Sequence, residues 1–339
     1  MGKFTDGLNF ITKQSPRRWL NAARVYLSFQ YARFGKGIHH AGLPVSISIE
    51  PTTSCNLRCP ECPSGLRSFT RPTGMLKKEL YESVIDQLAP TLSYLIFYFQ
   101  GEPYLHPALL DMVSYASRKK IYTATSTNAH YLNDQAARKT VESGLDRLII
   151  SIDGTTQETY ESYRIGGKLE KVIEGARNVI RWKRELRSQT PHVIFQFLVV
   201  GHNEHQLNDV KKLAADIGVD EVKFKTAQIY NFENGSDLIP KNPKYSRYKK
   251  NADGKYSIKS GLADHCWKMW HSCVITWDGK VVPCCFDKDA HYVLGDLTQT
   301  SFQEIWQGQP YNQFRKTLFH ARAEIEMCRN CTEGAKVFA

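Results

Sequence analysis

At 339 residues, 42% hydrophobic and 23% charged, the chain has room for one large domain and a small one, and its balance excludes a disordered or fibrous protein. The net charge of +11 favours phosphates, nucleic acid or anionic lipid as neighbours, but 45 lysines and arginines spread along the chain without an aromatic-basic motif make nucleic acid an improbable partner. No secretory signal opens it, since "WLNAARVYLSF" is broken by Arg24 and too short to span a bilayer; a reducing, cytoplasmic setting is expected, and nine cysteines, an odd number, then speak for metal rather than disulfides.

Residues 1–45 are expected to form an N-terminal helical extension. Ser15, Pro16 and Gly35 supply an N-cap, a first helical position and a stop. Trp19, Leu20, Ala23, Leu27, Tyr31 and Phe34 recur at helical spacing among Arg17, Arg18, Arg24 and Arg33. Such a stripe usually faces a protein core, so the helix is expected to cover one end of the main domain; contact with a membrane surface is the alternative.

From residue 46 strands and helices alternate. The strand segments are "SISIE", "SYLIFYFQG", "IYTATSTN", "DRLIISIDG", "HVIFQFLVVG" and "DEVKFKTAQ", with helical patterns between them. Six such units imply an α/β fold, a partial (β/α)6 TIM-like barrel over residues 46–228 with parallel strands. Glu50, Gln100, Glu102, Ser126, Asn128, Ser151 and Asp153 gather at the strand ends that carry chemistry in such barrels. Residues 229–259, rich in Asn, Gly, Pro and Lys, read as a linker, and residues 260–339 as a small α+β cluster-binding domain. In "SCVITWDGKVVPCC" a two-residue turn at Asp278-Gly279 would set Trp277 opposite Lys280 and Cys273 opposite Cys284. Cys285 would then point to the other face as a buried thiol.

Cys55, Cys59 and Cys62 share one loop, "PTTSCNLRCPECP". A tetrahedral zinc would need a fourth ligand that the neighbouring sequence lacks, whereas three thiolates can hold three irons of a 4Fe–4S cube and leave the fourth open. Cysteines spaced in this way after the first strand of a β/α barrel resemble the signature of the radical S-adenosylmethionine (radical SAM) enzymes. The resemblance implies that SAM docks on the open iron and is cleaved reductively to a 5′-deoxyadenosyl radical, which abstracts hydrogen from a substrate. It implies that Gly101, Glu102 and Pro103, in "FQGEP", contact the SAM amino group, where a carboxylate suits an ammonium. Ser151 and Arg164 are its candidates for the SAM carboxylate, and Asn128 and Asp153 for other polar groups. Two positions depart from the family: Glu61 replaces an aromatic residue that packs on adenine in many members, with Leu198 or Val200 as substitute contacts, and Gln100 replaces the first glycine of the second-strand motif.

The second set, "DGKVVPCC" followed by a terminal "CRNC", resembles the SPASM/twitch extension of some radical SAM enzymes. That implies an auxiliary 4Fe–4S cluster on Cys266, Cys284, Cys328 and Cys331; spacing alone leaves Cys273 in competition with Cys266, and a zinc ribbon is the plain alternative. A cluster with four thiolates suits an electron acceptor. The expected function is therefore a radical SAM oxidoreductase, dehydrogenase-like, acting on a small molecule such as a sugar or cyclitol, with flavodoxin or ferredoxin as reductant. A peptide-modifying (maturase) enzyme is one alternative, although the first 45 residues are too few for the leader-binding domain that such enzymes often carry. A non-catalytic metal-binding or electron-transfer protein is the other. No catalytic residue stands out; Asp278, Asp287, Glu233 and Asp237 are the acids near enough in sequence to serve as a base.

Overall fold

Six parallel strands stand side by side in chain order, because each apolar strand is followed by an amphipathic helix that folds back over the sheet. In the computed structural model, which describes residues 2–259 and 261–333, they are β1 (Ser46–Ile49), β2 (Tyr94–Ile96), β3 (Tyr122–Thr127), β4 (Arg147–Ser151), β5 (His192–Val199) and β6 (Glu221–Thr226). Helices Lys78–Leu88, Leu109–Arg118, Leu169–Glu185 and Leu207–Ile217 press Val84, Val113, Val172 and Val210 into a core shared with Ile47, Leu95, Leu148 and Phe195. The result is the expected α/β partial barrel. β2 is short because the chain leaves the sheet after Phe97, whose N–H still bonds to Ala124 O, to reach the cysteine loop.

The stretch 229–259, expected as a plain linker, contains a two-stranded hairpin, β7 (Tyr248–Lys250) and β8 (Tyr256–Ile258). Tyr248 anchors it by accepting from Ile229 N–H at 2.8 Å. Ile229 and Tyr248 are buried together with Leu57, Cys59, Tyr163 and Val200, so the segment packs onto the first cysteine loop.

The C-terminal hairpin extends the barrel's own sheet. β9 (Ser272–Ile275) pairs in parallel with β1, and β10 (Lys280–Val282) and β11 (Gly295–Asp296) follow, making nine strands in all. The hairpin register differs from the expected one. Val281 faces Ile275 and Thr276 N–H bonds to Lys280 O, so the loop is Trp277-Asp278-Gly279, with Gly279 left-handed at φ +87. A three-residue loop ending in a left-handed glycine is a common hairpin closure, and the one-residue slip removes Cys273 from its place opposite Cys284.

At the other end of the strands lie α1 (Gly2–Thr12), which no sequence signal announced, and α2 (Pro16–Arg33). Ser15 caps α2 by accepting from Arg18 N–H, and Gly35 follows its end. Asp6 bonds to Tyr122 and Arg147, at the starts of β3 and β4, and Arg18 donates to the carbonyls of Ala89, Lys119 and Lys120. The two helices thus close the barrel's N-terminal end. The face that does so is not the expected stripe. Val25, Phe29 and Ala32 pack against Trp270, while Trp19, Leu20, Leu27, Tyr31 and Phe34 face solvent.

Candidate functional site

The C-terminal ends of β1 to β5 converge on a cavity of about 180 Å³ lined by Cys55, Cys59, Cys62, Gly101, Glu102, Asn128, Ser151 and Arg164. Leu198 lines it too, whereas Val200 is buried beside Leu57. Pro103 and Asp153 lie outside the lining.

The cysteine loop is tied to the end of β2. Gly101 N–H donates to Ser64 Oγ at 2.8 Å and Glu102 N–H to Ser54 O at 2.8 Å. Gly101 has φ +75, and a Cβ there would stand 2.2 Å from Thr52 O, so this position admits only glycine. The Gln100 side chain reaches Cys62 Sγ at 3.9 Å, which gives the departure from the family's glycine a local partner.

Glu102 is buried, and its carboxylate accepts from Thr127 Oγ1 at 2.6 Å, Asn128 N–H at 2.7 Å and Tyr104 N–H at 3.2 Å. Burial raises its pKa above the usual glutamate value, and those three donors oppose the shift. Asn128 gives its amide to Asn56 Oδ1 at 2.8 Å. Asp153 stands behind Arg164: one oxygen accepts from Arg164 Nε and the other from Leu198 N–H at 2.7 Å. Arg164 Nη1 in turn lies 3.8 Å from Cys59 Sγ.

These residues fit an iron–sulfur cube. Burial pushes the Cys55 thiol up to about 11 and raises that of Cys59, so neither is a thiolate at neutral pH until a cationic centre takes it. Among the described residues no three His, Cys, Asp or Glu side chains converge on a single ion. A cube asks for less convergence, because each thiolate binds its own iron.

The second cysteine set assembles around two cations. Arg322 Nη2 is 3.6 Å from Cys331 Sγ and also feels Cys266 and Cys328. Lys268 lies beside Cys284 and Cys285, and Cys284 feels Cys266. Cys273 is elsewhere, buried inside the sheet near Tyr311 and Arg315. Cys266, Cys328 and Cys331 lie in reach of Arg322, and Cys284 feels Cys266 on one side and, through Tyr311, lies near Cys273 on the other. Cys285, expected as a buried thiol, is half-buried and shares Lys268 with Cys284. Of the candidate bases, Asp287 is spent on the N–H groups of His291 and Tyr292, and Asp278 accepts from Thr276 Oγ1. Glu233 and Asp237 are exposed, with no tie to the cavity.

One link joins the two sets, and no local signal announced it. Glu61, between Cys59 and Cys62, accepts from Tyr230 N–H at 2.9 Å, and Lys288 Nζ donates to Tyr230 Oη at 2.9 Å. Burial lowers the Lys288 pKa against the attraction of Cys62 and Cys285, one from each set. The acid that replaces the family's aromatic residue thus brings in an aromatic ring from the long connection.

A family model described as "Radical SAM superfamily" matches residues 49–214, and the SPASM model, "Iron-sulfur cluster-binding domain", matches residues 266–332. The chain is 25% identical over 299 residues to the tungsten-containing aldehyde ferredoxin oxidoreductase cofactor-modifying protein of Pyrococcus furiosus, spanning 79% of this chain and 82% of that one. It is 25% identical over 312 residues to the PqqA peptide cyclase of Gluconobacter oxydans, spanning 85% and 82%. Its fold resembles that of Streptococcus suis SuiB bound to S-adenosylmethionine, with TM-score 0.63 at 12% identity over 84% of this chain and 70% of that one.

Proposed function

Because the chain belongs to the radical SAM superfamily and carries a SPASM domain, with SAM and two 4Fe–4S clusters as cofactors, we propose that it is a radical SAM enzyme that modifies a peptide. This reading takes precedence over the small-molecule dehydrogenase expected from the auxiliary cluster and the short N-terminal extension. One observation carries it. Leu66, Tyr131, Ile165 and Tyr230, between 37% and 51% exposed, stand around the first cysteine loop. Leu66 N–H bonds to Cys62 O, Ile165 O accepts from Arg58 N–H, Tyr230 is held by Glu61, and Tyr131 feels Cys55 and Glu102. An apolar rim of this kind suits a polypeptide substrate and offers little to a sugar or cyclitol. The likeness to a peptide cyclase over most of both chains supports the same reading.

When bound, the first cluster and SAM supply the 5′-deoxyadenosyl radical that removes a hydrogen atom from the substrate. In this proposal Cys55, Cys59 and Cys62 each hold one iron. Glu102, fixed by Thr127 and Asn128, faces the SAM ammonium beside Gly101, and Pro103 shapes the turn behind it. Arg164, held by Asp153, and Ser151 take the SAM carboxylate. Cys266, Cys284, Cys328 and Cys331 hold the second cluster as electron acceptor. Tyr230 and Lys288 span the interval between the two sets, where the substrate's reacting carbon would lie. Residues 46–228 act as the catalytic barrel and 260–339 as the auxiliary domain, in the cytoplasm, with flavodoxin or ferredoxin delivering the electron.

The test is anaerobic reconstitution with iron and sulfide, reduction, and an assay for 5′-deoxyadenosine. The peptides would be those encoded by short reading frames beside the gene, run in parallel with aminocyclitols. A peptide that gains a mass change matched to 5′-deoxyadenosine supports the reading. Turnover with cyclitols and none of the peptides overturns it.

A further inference from the structure

The apolar stripe that the N-terminal helices turn outward has a composition that the radical chemistry does not use. With 3.6 residues per turn, Trp19, Ala23, Leu27 and Phe34 fall along one line of α2, with Leu20 and Tyr31 beside them. Leu27 is 65% and Phe34 73% exposed. Arg17 and Arg24 border the stripe on one side and Arg33 on the other, and among the described residues none of the three has a carboxylate partner. α1 turns Phe4, Leu8 and Ile11 outward in the same i, i+4, i+7 pattern. Asp6 is the only acid before Glu50 in the sequence, and it is buried against Arg147 and Tyr122. Each helix thus turns an apolar stripe outward, the α2 stripe has cationic edges, and neither helix carries an exposed acid of its own.

We propose that α1 and α2 dock the enzyme on an anionic phospholipid surface. The chemistry of that partner follows from the face itself. Apolar side chains enter the acyl boundary while flanking arginines stay with the phosphates, the arrangement of a helix that lies in an interface. A neutral partner protein would leave three arginines without a counterpart. No described helix is long and apolar enough to cross a membrane, so the mode is surface docking. Beyond the end of α2, Lys316 and Asp264 line one cavity with Arg33, and Asp264 accepts from Arg322 N–H, so the cationic border ends at Arg33. The docked face lies at the N-terminal ends of the strands, whereas Glu102, Asn128 and Ser151 stand at their C-terminal ends. Docking therefore leaves the SAM cavity open to water, on the side away from the bilayer.

The experiment is co-sedimentation of the full chain with phosphatidylcholine vesicles, with and without phosphatidylglycerol, at low and high salt. Binding that requires phosphatidylglycerol and weakens in high salt is expected. Leu27→Asp should abolish it, and Trp19→Asp serves as an independent second variant. Arg17→Glu with Arg24→Glu should weaken it by about fivefold or more per position. Iron content and thermal melting equal to the parent's identify variants that remain folded. Absence of binding to phosphatidylglycerol vesicles overturns the proposal, as does binding indifferent to that lipid. A lipid-free dimer that Leu27→Asp dissociates also overturns it, because a second copy then covers the stripe.

Discussion

The Arg164 guanidinium is held by Asp153, a wholly buried carboxylate, and lies 3.8 Å from the sulfur of Cys59. The cysteine loop and a segment 105 residues further on thereby share one electrostatic unit at the edge of the cavity. Asp153→Asn keeps an acceptor for Leu198 N–H but loses the charge that aims Arg164. SAM affinity is expected to fall about 10- to 100-fold, as when a supporting partner of a site ligand is lost, measured by equilibrium dialysis on the reconstituted protein.

Cys266 and Cys273 separate in a metal count. Cys266→Ser should lower reconstituted iron from about eight per chain towards four, because it removes one ligand of the second cluster. Cys273→Ser should keep the full count, since its thiol is buried in the sheet beside Tyr311 and Arg315. Equal losses in both variants would refute the grouping around Arg322.

Gly101 tolerates no side chain. Gly101→Ala forces a Cβ to within 2.2 Å of Thr52 O at φ +75. The left-handed penalty alone is about 1–2 kcal/mol, and the clash adds to it. Denaturant melts should show a loss above that range, with iron uptake at the first site falling in parallel.

Lys288 links the two cysteine sets through Tyr230. Lys288→Ala should leave SAM cleavage intact and lower product formation by about 100-fold or more, the scale of a lost positioned acid–base group. The readout is the ratio of modified peptide to 5′-deoxyadenosine. A variant with an unchanged ratio would remove Lys288 from the substrate region.

His40 gives the fold a pH dependence away from the site. Its Nε2 lies 2.8 Å from Trp270 O, and burial first, then Arg315, lowers its pKa from 6.5 to about 3. The unfolded chain therefore binds a proton there before the folded one does. The stability from keeping it neutral is fully present above pH 6.5 and is lost as pH falls from there towards 3. His40→Leu should flatten the stability curve in that window by up to about 1.4 kcal/mol per pH unit, read from urea midpoints at several pH values.

The first cluster loop, the glutamate after β2 and the order of the six strands were legible in the sequence. Each depends on short-range spacing: three cysteines within eight residues share a loop in almost any fold, and an apolar strand followed by an amphipathic helix has one common way to pack. The hairpin after Cys273 was legible in kind but not in register. Asp278-Gly279 closes a two-residue or a three-residue loop with similar ease, and one residue decides which face each cysteine takes.

The barrel, the first cysteine loop and its resemblance to an enzyme family follow from the order of residues, because these depend on neighbours a few residues apart. Only the folded chain shows that Glu61 meets Tyr230, that Arg322 lies among Cys266, Cys328 and Cys331, and which face of α2 lies open. Those contacts join groups tens to hundreds of residues apart, so their distances are set by how the whole core packs. With apolar residues on both sides of α2, periodicity cannot say which side the protein covers.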